Sequence, residues 1–173
     1  MELSGKRIAI LTEDNYDEQE FIYCNLRMRE AGATVTIVAP QGDHEYRSKA
    51  GLTNRSDQAA SAVRAADFDA VIIPGGYAPD RMRRDPALVR LVREATQEGQ
   101  IVAAICHAGW VLVTAGVLMG RTVTGFFSLE PELRGAGATY VDAPVVRDGN
   151  LITSRTPADL GDFCRTIIAA LQE

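Results

Sequence analysis

The stretch GQIVAAICHAGWVLVTAG, Gly99–Gly116, decides the fold. It opens with a five-residue apolar run, Ile101–Ile105, which reads as a strand buried on both faces of a parallel sheet. Cys106 and His107 follow, then the small pair Ala108-Gly109. A second apolar run, Trp110–Ala115, contains helix formers and can pack back on the sheet. Cys106 is therefore expected on a sharp strand-to-helix turn at the carboxyl edge. Ala104 and Ala108, two before and two after the cysteine, permit the close approach of strand and helix that a nucleophile elbow needs. A cysteine there faces free backbone N–H groups and the positive end of a helix dipole, and both favour thiolate. A buried apolar cysteine fits the same local pattern, and the stretch alone does not choose between the two.

Upstream of this stretch, Arg7–Leu11 (RIAIL), Thr34–Ala39 (TVTIVA) and Ala70–Ile73 read as further buried strands. An acid-rich segment, TEDNYDEQE, leads into a helix expected to run to about Ala31 and to stop at Gly32. Gln41–Arg55 is polar and turn-rich, a hairpin or an excursion. Ser56-Asp57 are placed to cap a short helix through Arg64. Pro74-Gly75-Gly76 ends the third strand in a turn where backbone can approach a ligand closely and bind an anion. Pro86 and Gly99 bracket a helix in the preferred asymmetric way. Downstream, Arg121–Thr124, Val145-Val146 and Asn150–Ser154 read as strands, and Pro157–Leu171 as a terminal helix. The alternation predicts an α/β sandwich with a mostly parallel central sheet, whose ligands bind at the carboxyl ends of the strands. Three loops should meet there: Thr12–Glu20, Pro74–Tyr77 and Cys106–Gly109.

At 173 residues, 46% hydrophobic and 24% charged, the chain fits one globular domain over 1–173. A net charge of -5 argues against nucleic acid as a partner. The cysteines Cys24, Cys106 and Cys164 are odd in number and widely spaced, which is neither a disulfide framework nor a metal-ligand spacing, so no metal is expected. The apolar run in MELSGKRIAIL is too short for a signal peptide or a span, so the expectation is a cytoplasmic protein with no membrane partner.

Six motifs in order resemble the ThiJ/PfpI family of the class I glutamine amidotransferase-like superfamily. They are YDEQEFIY (Tyr16–Tyr23), PGGYAPD (Pro74–Asp80), AAICHAG (Ala103–Gly109), AGVLMGR (Ala115–Arg121), VRDGN (Val146–Asn150) and SRTPADL (Ser154–Leu160). The resemblance covers essentially the whole chain. It implies a flavodoxin-like three-layer fold with Cys106 as nucleophile and Glu20 against its thiol. It further implies oxyanion-binding amides at Gly76, with Gly75 beside it, and at His107. Asp80 would reach the histidine of a neighbouring subunit in a homodimer or higher homo-oligomer. Tyr16, Trp110 and Phe126 are candidates for the pocket lining. The elbow reads CHAGW where many relatives carry CHGP, and TGFF has Phe126 where protease-like members tend to have tyrosine.

Neighbours on a turn usually point apart, so His107 is not expected to act as a simple base for Cys106 within one chain. Two anions in contact repel, so Glu20 should keep its proton beside a thiolate, its pKa raised and that of Cys106 lowered. No cofactor is implied. Such a pair suits glyoxalase or deglycase chemistry on small dicarbonyls or on glycated proteins and peptides. The alternatives are a cysteine peptidase or amidase, and a non-enzymatic redox or stress sensor.

Overall fold

The computed structural model describes all 173 residues. The first half of the chain contains β1 (Arg7–Leu11), α1 (Glu18–Glu30), β2 (Thr34–Ala39), β3 (Glu45–Arg47), β4 (Thr53–Arg55), β5 (Gln58–Ala59) and β6 (Ala70–Ile73). Next come α2 (Ala78–Met82), α3 (Pro86–Glu98), β7 (Ile101–Ile105), α4 (Gly109–Ala115), β8 (Thr122–Val123) and α5 (Glu130–Gly135). The chain finishes with β9 (Thr139–Tyr140), β10 (Val145–Asp148), β11 (Leu151–Ser154) and α6 (Leu160–Leu171).

Seven strands form the main sheet in the order β10-β11-β7-β6-β1-β2-β5. All neighbours in it are parallel except β10 and β11. β6 and β7 are buried at every position, as continuous apolar runs require when helices cover both faces of a sheet. From β1 the chain crosses to β2 on one side and later returns to β6 on the other. The strand order therefore reverses between β1 and β6, where open parallel sheets form their binding crevice. The loops after β1, β6 and β7 leave three adjacent strands at this edge, so the expected convergence is observed. This is the flavodoxin-like architecture.

Two helices are fixed by their caps. The Asp17 carboxylate accepts from Gln19 N and Glu20 N to start α1, and Asp85 accepts from Ala87 N and Leu88 N to start α3. The segment between β2 and β6 differs from expectation. β3 and β4 do form a hairpin, but the helix expected from Ser56-Asp57 to Arg64 is absent; two 3-10 turns, Ala60–Ala62 and Ala65–Asp67, take its place. The two would-be caps are occupied elsewhere. Asp57 accepts from Ile37 N at 2.7 Å and Ser56 donates to Gln41 O at 2.7 Å, which tie the segment to the edge of the sheet. The strand expected at Arg121–Thr124 shrinks to β8, which leaves the main sheet and pairs with β9. No helix is long and apolar enough to cross a membrane.

Candidate active site

β7 is extended up to Ile105, and Cys106 then turns to φ +60 as the chain enters a 3-10 turn, Cys106–Ala108, leading into α4. A non-glycine residue at positive φ is strained, and here the strain bends strand into helix at the thiol. The expected elbow is therefore present. The glycine turn after β6 lies against it. A Cβ on Gly75 would stand 2.7 Å from Glu20 Oε2 and 2.9 Å from Cys106 Cβ, so only glycine lets these three residues meet. Gly76, at φ +79, sits against the backbone of Asp17, where a Cβ would meet Asp17 N at 2.5 Å.

Glu20 occupies the first turn of α1 and is wholly buried. Its Oε2 accepts the Gly75 N–H at 2.6 Å. Its Oε1 is buried without a well-formed hydrogen bond, and the Cys106 side chain lies beside the carboxyl group. Burial, and then the charge of Asp17, push Glu20 up to about 7, against the pull of the Gly75 N–H, Cys106 and Lys49.

The thiol behaves otherwise than the helix-start argument expects. Burial, and then the Glu20 charge, push Cys106 up to about 12. The N–H groups of His107 and Gly76 point at the sulfur and pull its pKa down, but desolvation and the neighbouring carboxylate outweigh two amide dipoles. The raised Glu20 is thus as expected and the lowered Cys106 is not. Taken as a pair, the two groups lose one proton near 7 and hold the other to about 12, so between those values they share a single proton.

His107 also departs from expectation. Its Nδ1 stands 3.1 Å from Cys106 Sγ, because the positive φ at Cys106 brings two successive side chains to one side of the turn. Burial first and the Lys49 charge second lower its pKa from 6.5, so the imidazole is neutral at pH 7. Phe126 stacks on it at 4.4 Å and 28°, and Trp110 lies 4.9 Å away, so both rings lie against the imidazole beside the thiol. Tyr16 does not. It is 1% exposed, packs on Phe21 and donates to Leu52 O, while its backbone bridges Gly76 and Ser48. It braces the loops instead of lining the pocket, because the strand-like bridge turns its ring inward. Asp80 is held within its own helix region, paired with Arg83 at 2.7 Å and with Arg84, and these guanidinium groups keep its carboxyl below the usual range.

Lys49 has no signal in the sequence. It sits in the turn joining β3 to β4, and its Nζ meets buried Asp17 Oδ2 at 2.6 Å. Lys49 and Asp17 are 32 positions apart, with 31 residues between them, and only the fold brings that hairpin over the site. Arg83, whose guanidinium lies 5.2 Å over the Trp110 ring, is equally non-local. No group of three or more His, Cys, Asp and Glu side chains is arranged to hold a metal ion. The arrangement as a whole offers a thiol, a carboxyl that shares its proton, two backbone donors and a neutral imidazole. That set can add sulfur to a carbonyl carbon and support the charge on its oxygen.

The model of the DJ-1/PfpI family matches residues 6–170. The chain belongs to the DJ-1/PfpI family. Among its relatives, a deglycase of Pyrococcus abyssi is 37% identical over 166 residues, covering 96% of this chain and 99% of that one. A candidate cysteine protease of Bacillus subtilis, YraA, is 37% identical over 168 residues, covering 97% and 99%. A two-domain protein of Anabaena variabilis with DJ-1/ThiJ/PfpI-like and ferritin-like domains superposes with a TM-score of 0.94 at 42% identity. The match covers 96% of this chain and 48% of that one, so the chain spans about half of the two-domain protein. Within the DJ-1/PfpI family, then, this chain has relatives named for two different reactions, and both names denote enzymes.

Proposed function

We propose that the protein is a cofactor-free glyoxalase or deglycase that uses Cys106 on small 2-oxoaldehydes or on their adducts with amines and thiols. One observation carries this reading: a strained elbow thiol beside a buried carboxyl with a pKa of about 7 and an oxygen without a partner. Proton transfer is most efficient when the group's pKa lies near the working pH. As Sγ bonds to the aldehyde carbon of methylglyoxal, Glu20 takes the thiol proton and the Gly76 and His107 amides hold the new oxyanion. Glu20 returns that proton to the oxygen, which gives the hemithioacetal and leaves the carboxylate free again. Glu20 then removes the proton from the former aldehyde carbon and returns it to the adjacent carbon through an enediol. The product is a lactoyl thioester. Water cleaves it to lactate and restores the thiol. With all three cysteines free, the reading fits the cytoplasm.

The test is lactate release from methylglyoxal by the purified protein beside Cys106→Ser. Turnover that falls by about a thousandfold or more in the variant supports the reading. No turnover in the wild-type protein overturns it. A peptidase is the second reading, favoured by the 3.1 Å Sγ–Nδ1 contact, which would let His107 take the thiol proton. It lacks an orienting carboxylate within the chain, since Asp80 is occupied by Arg83 and Arg84. A sensor role draws no support from a thiol pushed up to about 12, because it is the thiolate that attacks peroxide.

A further inference from the structure

Four of the chain's eleven Phe, Tyr and Trp residues gather around His107 and run from the thiol out to solvent. The inner two are fixed. Trp110 donates through Nε1 to Glu132 Oε1 at 3.3 Å and carries Arg83 over its ring, and Arg83 is itself held by Asp80. Phe126 stacks on His107, and its backbone N–H donates to Cys106 O at 3.2 Å. The outer two extend the surface. Tyr77 stands 6.2 Å from the imidazole and is 63% exposed; Phe127 stands 4.6 Å from Phe126 and is 72% exposed.

A lone exposed apolar residue needs no explanation, but these rings are grouped around His107, whose Nδ1 meets the nucleophile. Their backbones are held: Tyr77 N–H donates to Asn15 O at 2.9 Å, and Phe127 opens a 3-10 turn. The rings therefore stay in the open instead of folding into the core. A carbonyl that approaches Sγ from the His107 side brings its substituent against these rings. We propose that Tyr77, Phe126 and Phe127, with Trp110, form a subsite for a planar or bulky apolar group next to the reacting carbon. The enzyme then prefers aryl and large alkyl 2-oxoaldehydes, or glycation adducts on apolar surroundings, over methylglyoxal. This preference rests on the dicarbonyl reading, whereas the subsite itself does not.

The experiment measures kcat/KM for phenylglyoxal and for methylglyoxal in the wild-type protein, Tyr77→Ala and Phe127→Ala. One additional stacked ring predicts a ratio of about ten in favour of phenylglyoxal. That ratio should fall towards one in either variant. Alkylation of Cys106 by N-benzyl iodoacetamide and by iodoacetamide, followed by mass spectrometry, reports the same subsite without turnover. Its benzyl preference should fall in parallel. A wild-type protein that shows no preference in either assay, or variants whose ratios match the wild type, overturns the subsite. No turnover of either aldehyde beside an intact benzyl preference overturns the dicarbonyl reading and supports the subsite.

Discussion

The molecule buries thiols in two places, and burial raises the pKa in both. Cys24 on α1 faces Cys164 on α6 at 3.8 Å between Sγ atoms, with both side chains sealed from solvent. The hydrogen bond with Cys164, and then burial, hold Cys24 well above the usual thiol range. At the elbow, Cys106 is pushed up to about 12. The difference lies in the backbone around each sulfur. Cys24 sits inside a helix whose N–H groups are spent on carbonyls, so no amide is left to meet a thiolate. Cys106 sits where strand turns into helix, and N–H groups from two separate loops, at Gly76 and His107, point at it. Glu20 adds a place for the proton to go. A site for chemistry is thus distinguished from a packing thiol by what can receive the charge and the proton.

The largest effect that could break this comparison is the contrast in alkylation. In the native protein, iodoacetamide should modify Cys106 at least about a hundredfold faster than Cys24 or Cys164, which react only after local opening. Peptide mass mapping of a time course reads all three at once. Equal rates would mean that a shared opening of the fold, and not the elbow, governs all three thiols.

The next largest concerns Glu20. Its folded pKa is raised from an ordinary 4.5 to about 7, so the folded state binds this proton more tightly than the unfolded chain. Its favourable contribution is complete below pH 4.5 and is lost as pH rises to 7. Above pH 7 the ionised, buried carboxylate costs about 3 kcal/mol. Glu20→Gln removes that cost and keeps an oxygen for the Gly75 N–H. Denaturant unfolding should show the variant gaining up to about 3 kcal/mol on the wild type between pH 5 and pH 8. In the same variant the Cys106 thiol should titrate lower, since the carboxylate charge that raises it is gone. A gain independent of pH would show that Glu20 does not titrate in this window.

Much of this site was legible in the sequence, and the parts that were not share a cause. Buried parallel strands are continuous apolar runs, so β1, β2, β6 and β7 stand out along the chain, and Pro86 and Gly99 mark α3 without help from tertiary structure. Cys106, Glu20 and the Gly75-Gly76 turn follow from motif and order, and the fold brings them together. The inward turn of Tyr16 and the contact between His107 and the thiol depend on a bridge and on a single φ at Cys106. Neither is written in residue type. The direction of the Cys106 shift depends on how deeply Glu20 is buried, which the helix-start argument does not weigh. Lys49 and Arg83 act across the fold, where local pattern carries no information.

The smallest effect falls on the other thiol pair and sharpens the contrast most. Cys24→Ser replaces a polarisable sulfur in a sealed apolar setting with a smaller, more strongly hydrated hydroxyl. The hydroxyl can still reach a carbonyl one turn back in α1, which offsets part of the desolvation, so the cost is about 1 kcal/mol. Thermal unfolding should register it as a drop of a few degrees. Methylglyoxal turnover should change by less than about twofold, because Cys24, although one turn from Glu20 on the same helix face, spends its side-chain hydrogen bond on Cys164 and not on the elbow. A large loss of turnover with stability intact would mean that the dithiol positions Glu20 through α1. The two buried thiol sites would then be one coupled unit.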